Sequence, residues 1–210
     1  MIIHKRNTNE NIEVEIRAIL EESQAKILFK RLEAGEGKYM GEEKLIDLYF
    51  CRNEVKEFSE IEMNEVGSYS LRLREKEKEG KKEIYLNIKV ITNYGDHNAW
   101  EEHETDIGSL EESYLIFKAI GFKPFFRLKK TRKSFYIEEK KMTVNMEYIE
   151  DFGVATEIEI ITSQENAENS KQIIKDFLAN VGVRQDQIVP KSITNILMNK
   201  MAKFDGTIAV

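Results

Sequence analysis

Residues 11–20 read NIEVEIRAIL, with Glu13, Glu15 and Arg17 at every second position and Ile12, Val14 and Ile16 between them. A period of two is the period of a β-strand, so the charged residues share one face and the aliphatic residues the other. Most such strands are half-buried and turn their charges to water. The same alternation recurs along the chain. Arg72 and Arg74 oppose Leu71 and Leu73 in SLRLRE (70–75), and Asn87 and Lys89 oppose Leu86, Ile88 and Val90 in IYLNIKV (84–90). Glu102 and Glu104 share a face in WEEHET (100–105). Lys130 and Arg132 share one in LKKTRKS (128–134), where Lys129 and Lys133 make the other face basic as well. Asn145 and Glu147 oppose Val144, Met146 and Tyr148, and Glu157 and Glu159 oppose Ile158 and Ile160.

An ordinary solvated face would carry more Ser, Thr and Gln, with both signs mixed within a strand. Here full charges dominate at i, i+2 spacing, acids on some strands and bases on others. A second arrangement accounts for this: the sheet closes, charged faces line its interior, and aliphatic faces point outward beneath helices. That inverts the small barrel filled with apolar side chains. Such an interior needs counter-charge, because unpaired buried charge is very costly. Carboxylates suit hard divalent cations, and guanidinium and ammonium groups suit phosphate oxygens. Both kinds in quantity point to a complex of metal and polyphosphate.

Further strands are expected at 44–52 and 141–149, and the charged turn EKEKEGKKE (75–83) around Gly80 joins two more. Helices are expected at about 22–34, ending near Gly35, and from Ser109 to Gly121, where Ser109 and Glu112 form a capping-box pattern. Two more are expected at about 164–181, with Ile173, Ile174, Phe177 and Leu178 on one stripe, and about 191–203 after Pro190. Short links between strands favour antiparallel pairing. The fold class is therefore α+β with a large antiparallel sheet, in one domain spanning 1–210.

Composition limits the function classes. No apolar run approaches the roughly 20 residues that span a bilayer, so no membrane role is expected. A net charge of −6 argues against nucleic acid as the main partner, although a local cation cluster or bound metal can reverse the sign at a site. Cys51 is the one cysteine, which fits a reducing cytoplasm and an inert buried thiol.

In order along the chain, EVEIR (13–17), DLYF (47–50), LRLR (71–74), Lys89, HET with Glu102, KTR (130–132), MEYIEDFGVATEIEI (146–160) and PKSITNIL (190–197) resemble the sequence elements of CYTH-domain proteins, the triphosphate tunnel metalloenzymes. The resemblance spans roughly residues 11–200. It implies an eight-stranded antiparallel β-barrel closed into a tunnel with a polar lumen, flanked by helices. It implies a small-molecule triphosphate as substrate and Mg²⁺ or Mn²⁺ as cofactor, in a cytoplasmic monomer or homodimer. Carried over by position, Glu13, Glu15, Glu157 and Glu159 would hold metal, with Glu147, Glu102 and Glu104 as further acids. Arg17, Arg72, Arg74, Lys89, Lys130 and Arg132 would grip the phosphates. Glu15, Glu157, Lys89 and Arg17 would carry the catalytic step, and the Gly153 turn would position the last strand.

Two residues depart from the family pattern. Arg17 stands where the motif has lysine, exchanging a point charge for a fork. Trp100 stands where an arginine usually precedes the middle acids, either packed in the core or stacked on an organic ring. His97 and His103 flank the acidic strand and could be solvated, hydrogen-bonded or metal-bound. Tyr85, Tyr94 and Tyr136 could pack or meet a nucleoside. Hydrolysis of an inorganic or organic triphosphate is the leading expectation. Cyclisation of ATP to cAMP and pyrophosphate, or binding without catalysis, are the alternatives.

Overall fold

Nine strands and four α-helices make up the computed structural model, which describes residues 12–61, 65–91, 100–190 and 192–208, without the side chains of Trp100 and Gln164. The strands are β1 (Ile12–Leu20), β2 (Lys38–Arg52), β3 (Tyr69–Lys78), β4 (Lys81–Ile91) and β5 (Trp100–Asp106), followed by β6 (Phe122–Ile137), β7 (Met142–Ile149), β8 (Gly153–Thr162) and β9 (Ile188–Val189). The helices are α1 (Glu22–Arg31), α2 (Leu110–Ala119), α3 (Ala167–Ala179) and α4 (Ile193–Met201). Hydrogen-bonded strands follow the order β5-β4-β3-β2-β6-β7-β8-β1-β9. The antiparallel sheet flanked by helices is the expected one. The two-residue β9 was not expected, and it takes the edge of β1 at Arg17 and Ala18. Among the described residues no strand pairing joins β5 to β9, so hydrogen bonds do not close the sheet.

Contacts divide the chain into two compact units. The first comprises residues up to Gly41 and Arg132–Pro190, the second Glu42–Thr131 and the residues from Lys191. In the first unit, Val14, Ile16, Ala18 and Leu20 of β1 join Val144 and Met146 of β7 and Ile158 and Ile160 of β8 in one core. Leu28 of α1 and Ile174, Phe177 and Leu178 of α3 pack into the same cluster. The aliphatic face of this sheet is thus covered by helices, each buried side chain contributing about 1.5–3 kcal/mol. In the second unit Leu48, Phe50, Leu73 and Phe117 form a smaller core, with Leu71, Leu86, Leu110 and Tyr114 packed against it. There α2 covers the aliphatic face.

Local signals account for most boundaries. Ser109 Oγ accepts from the Glu112 amide at 3.2 Å and starts α2. Gly121, at φ 91°, follows its end. Glu79 and Gly80 form the two-residue link between β3 and β4, both with positive φ, as a primed hairpin turn requires. Helix α1 stops earlier than expected, at Arg31, and a wider turn over Leu32–Glu36 follows in which the Gly37 amide reaches back to Leu32 O. Arg31 clamps that turn by a two-pronged ion pair with Glu36 at 2.8 Å. Strand β2 begins six residues before expectation, because KYMGEE (38–43) has little alternation. Among the described residues no helix is long and apolar enough to cross a membrane.

Candidate functional site

Strand pairing in the first unit sets its acids in rows. Glu15 stands opposite Glu159, and Arg17 opposite Glu157. On the far side of β8, Thr143 stands opposite Glu159 and Asn145 opposite Glu157. Directly paired residues share a face, so these charges lie on the face away from the aliphatic core. Arg17 spans two of them, donating Nε to Glu157 at 2.8 Å and Nη2 to Glu15. Arg132 donates Nε and Nη2 to one oxygen of Glu147, at 2.9 and 2.6 Å, and Nη2 also to the second oxygen of Glu157 at 3.3 Å. Glu147 is buried, and Ser134 Oγ donates to Asn145 at 2.7 Å beside it.

Carboxylates outnumber guanidinium groups five to two in this cluster: Glu13, Glu15, Glu147, Glu157 and Glu159 against Arg17 and Arg132. The excess shows at Glu159. Its carboxyl is held above its ordinary value by burial and then by the negative charge of Glu13, against the pull of Arg132 and a hydrogen bond from Thr143. A hard divalent cation would relieve that repulsion, and an all-carboxylate donor set is the chemistry that Mg²⁺ and Mn²⁺ take. Glu13, Glu15, Glu157 and Glu159 are the groups that would hold it. Among the described residues no three such side chains are yet gathered round one point. The guanidinium of Arg17 engages one oxygen of Glu15 and one of Glu157, and so shares their charge with any metal held there.

The second unit gathers the cations. Asp47 of β2 stands opposite Arg74 of β3, and Tyr49 opposite Arg72. Arg74 grips Asp47 with two prongs, Nε to Oδ1 at 2.6 Å and Nη2 to Oδ2 at 2.7 Å. Arg72 Nη1 lies 3.6 Å from Asp47 Oδ2 and donates to the Tyr49 hydroxyl at 3.2 Å. Burial alone would raise the Asp47 carboxyl, but Arg74, then Arg72, with Lys130 behind them, hold it far below the usual range. Burial and the Asp47 charge raise the Tyr49 phenol. Arg72 Nε is buried and has no hydrogen-bond acceptor among the described residues.

The rows continue into β4 and β5, with Arg72 opposite Asn87, Asn87 opposite Glu104, and Lys89 opposite Glu102. Buried Asn87 donates to Glu102 at 2.7 Å and Glu104 at 3.2 Å, and Lys89 lies 3.1 Å from Glu102. Against its partial burial, Lys89 and Asn87 hold the Glu102 carboxyl below its ordinary value. A cavity of about 480 Å³ opens in this unit where β2 and β3 meet α4, lined by Tyr49, Arg52, Phe58, Tyr69, Phe125 and Met198 among others.

Of the expected site residues, Glu13, Glu15, Arg17, Arg132, Glu147, Glu157 and Glu159 belong to the first cluster. Arg72, Arg74, Lys89, Lys130, Glu102 and Glu104 belong to the second. Sequence reasoning assigned no role to Asp47 or Tyr49. The signal was a carboxylate set among aliphatic residues in LIDLYF (45–50), which water alone does not explain. His103 is exposed, 2.9 Å from Glu101, and Tyr85 donates to Glu83 at 2.6 Å. Tyr94, His97 and the Trp100 side chain lie outside the described residues.

No curated protein matches the sequence. Among solved structures the chain is similar to the PH1819 protein of Pyrococcus horikoshii OT3, at 21% identity and a TM-score of 0.68, over 90% of this chain and 99% of that one. The PH1012 protein of the same organism gives 25% identity and 0.61, over 86% and 96%. A Bacillus halodurans protein provisionally described as an adenylate cyclase gives 17% and 0.58, over 92% and 99%. The sequence profile of the CYTH domain matches residues 11–193, which takes in both charged clusters, and the chain belongs to the CYTH domain family.

Proposed function

We propose that the chain, working as a single CYTH domain, is a divalent-metal-dependent phosphohydrolase acting on a triphosphate. The observation that carries this reading is the guanidinium pair of Arg72 and Arg74, only 13% and 15% exposed around one carboxylate, with Arg72 Nε lacking an acceptor among the described residues. A buried charged donor without a partner is expensive. A phosphate oxygen is the acceptor a guanidinium fork fits best. Lys89 and Lys130 add ammonium groups to the same unit.

In this reading Glu13, Glu15, Glu157 and Glu159 would hold Mg²⁺ or Mn²⁺, with Glu147, Glu102 and Glu104 as supporting acids. Bound there, the cation would polarise phosphoryl oxygens and make water a better nucleophile. The side chains do the rest. Arg72, Arg74 and Lys130 fix the phosphate chain in line for attack and offset the charge that grows on it. Arg132 keeps Glu147 and Glu157 aimed through its hydrogen bonds to both. Arg17, released from a carboxylate, supplies a fork for a phosphate oxygen, and Lys89 offers a point charge to another.

The cavity beside Tyr49 supports a second reading, because inorganic triphosphate needs no aromatic pocket. An organic triphosphate would use it, and if the substrate were ATP, attack by a ribose hydroxyl on the α-phosphoryl would yield cAMP and pyrophosphate. Incubation with tripolyphosphate or ATP and Mg²⁺ or Mn²⁺, with a chelator control, separates the readings. Orthophosphate identifies the hydrolase, and cAMP with pyrophosphate the cyclase. Binding without either product identifies a non-catalytic module and ends the enzymatic proposal.

A further inference from the structure

Asp47 is only 1% exposed, on a strand whose neighbours Ile46 and Leu48 are aliphatic. A carboxylate is kept there at considerable cost unless its contacts serve something. Its two oxygens take the Nε and Nη2 of Arg74, a two-pronged bond that fixes the plane of that guanidinium as well as its place. Tyr49, which lies over the same carboxylate with its hydroxyl 3.5 Å from Oδ2, accepts Nη1 of Arg72. The ring of Tyr49 also sits under the Arg72 guanidinium, 6.0 Å from centroid to Cζ. Arg72 is therefore held by one end, while its Nε–H has no acceptor among the described residues. Strand register makes this possible: Asp47 opposes Arg74 and Tyr49 opposes Arg72, so one carboxylate and one phenol serve two adjacent rows.

We propose that Asp47 is a positioning residue that holds Arg74 flat and, through Tyr49, sets the Arg72 guanidinium for a phosphate oxygen. The inference rests on the phosphate-binding reading above and adds to it. It also fixes the sign of an experiment. If Asp47 were only a counter-charge, removing it would leave the arginines more cationic and tripolyphosphate would bind more tightly. If Asp47 positions them, binding weakens although the site gains positive charge.

The test is calorimetric titration of tripolyphosphate into wild type and Asp47→Asn, at low and physiological salt and well below the variant's melting temperature. At least about tenfold weaker binding at both salts is expected, the loss of about one charge-assisted bond. Equal or tighter binding overturns the proposal. A measurement on the wild type does not depend on the variant folding: ¹H–¹⁵N spectra of the arginine Nε–H groups, assigned with Arg72→Lys and Arg74→Lys. Arg74 Nε–H should exchange slowly with water before any ligand is added, and Arg72 Nε–H should shift when tripolyphosphate is added. An Arg74 signal exchanging like that of a solvated arginine overturns the positioning role. Failure of wild type to bind tripolyphosphate, with Arg74 Nε–H still protected, overturns the phosphate reading instead and takes this inference with it.

Discussion

Replacing Arg17 by lysine tests whether the guanidinium fork competes with a metal for its carboxylates. Arg17 makes two charge-assisted hydrogen bonds, to Glu15 and to Glu157, and these three side chains are between 16% and 21% exposed. Such bonds are each worth about 1.5–3 kcal/mol when well shielded, and partial exposure brings that down to about 1–2. Lysine keeps the charge but, as a single ammonium, loses the fork that spans both acids. A metal entering the cluster of Glu13, Glu15, Glu157 and Glu159 would compete with Arg17 for the charge of Glu15 and Glu157, the two carboxylates it engages. Arg17→Lys should therefore raise Mn²⁺ affinity by about 5- to 30-fold, following the rule that 1.4 kcal/mol is a factor of ten. The metal-free variant should melt about 2–8 °C lower, since 1 kcal/mol moves a chain of this size by about 2–4 °C. Calorimetry and the electron paramagnetic resonance signal of free Mn²⁺ would both report the affinity. A folded variant with unchanged or weaker Mn²⁺ binding refutes the competition argument.

Glu15→Ala and Glu157→Ala should each lower metal-dependent turnover by about 10²–10³-fold with the circular dichroism spectrum preserved; full activity in both removes those carboxylates from the chemistry. Arg74→Ala should weaken triphosphate binding by at least about tenfold and adenosine binding hardly at all, and equal losses would count against a phosphate role. Leu28→Ala, in the core of the first unit at 0% exposure, should destabilise by about 2–5 kcal/mol in urea unfolding. The depressed carboxyl of Asp47 contributes stability that is complete above the ordinary aspartate value of 3.8 and is lost as pH falls toward its folded-state value. The stability gap between wild type and Asp47→Asn should accordingly narrow as the pH is lowered from about 4 to about 2. A gap that stays constant there would mean that Asp47 titrates alike in the folded and unfolded protein, and that its ion pairs with Arg74 and Arg72 do not favour the ionised form.

Period-two alternation carried most of the fold, because in each unit one face of the sheet lies beneath helices and the other bears charge. Val14 and Ile16 could be assigned to the core from one strand alone. Ser109 and Gly121 marked α2 equally well, since a cap and a stop are local events. Asp47 could not be understood this way. Its role depends on standing opposite Arg74, 27 residues further on, and register between strands is a property of the assembled sheet. The two residues of β9 are too few to show any period. Lys133 makes the second face of its strand basic in the sequence, and its ammonium lies over the rings of Phe29 and Tyr148, 4.8 and 5.9 Å from their centroids. Those ring contacts come from tertiary packing and leave no mark in the period of the strand.

The interleaving of aliphatic and charged residues along β1, β3 and β8 has a consequence for how such a protein can diverge. Odd-numbered positions of β1 can be exchanged to alter what is bound, while the even-numbered ones go on supporting α1 and α3 unchanged. Substitution is thus tolerated, but insertion is not. One extra residue before Arg72 would swing both arginines into the space filled by Leu71 and Leu73, beneath α2, and expose those leucines in their place. Lineages that preserve this architecture should accumulate exchanges within the strands and confine length changes to the turns, such as the one at Glu79 and Gly80.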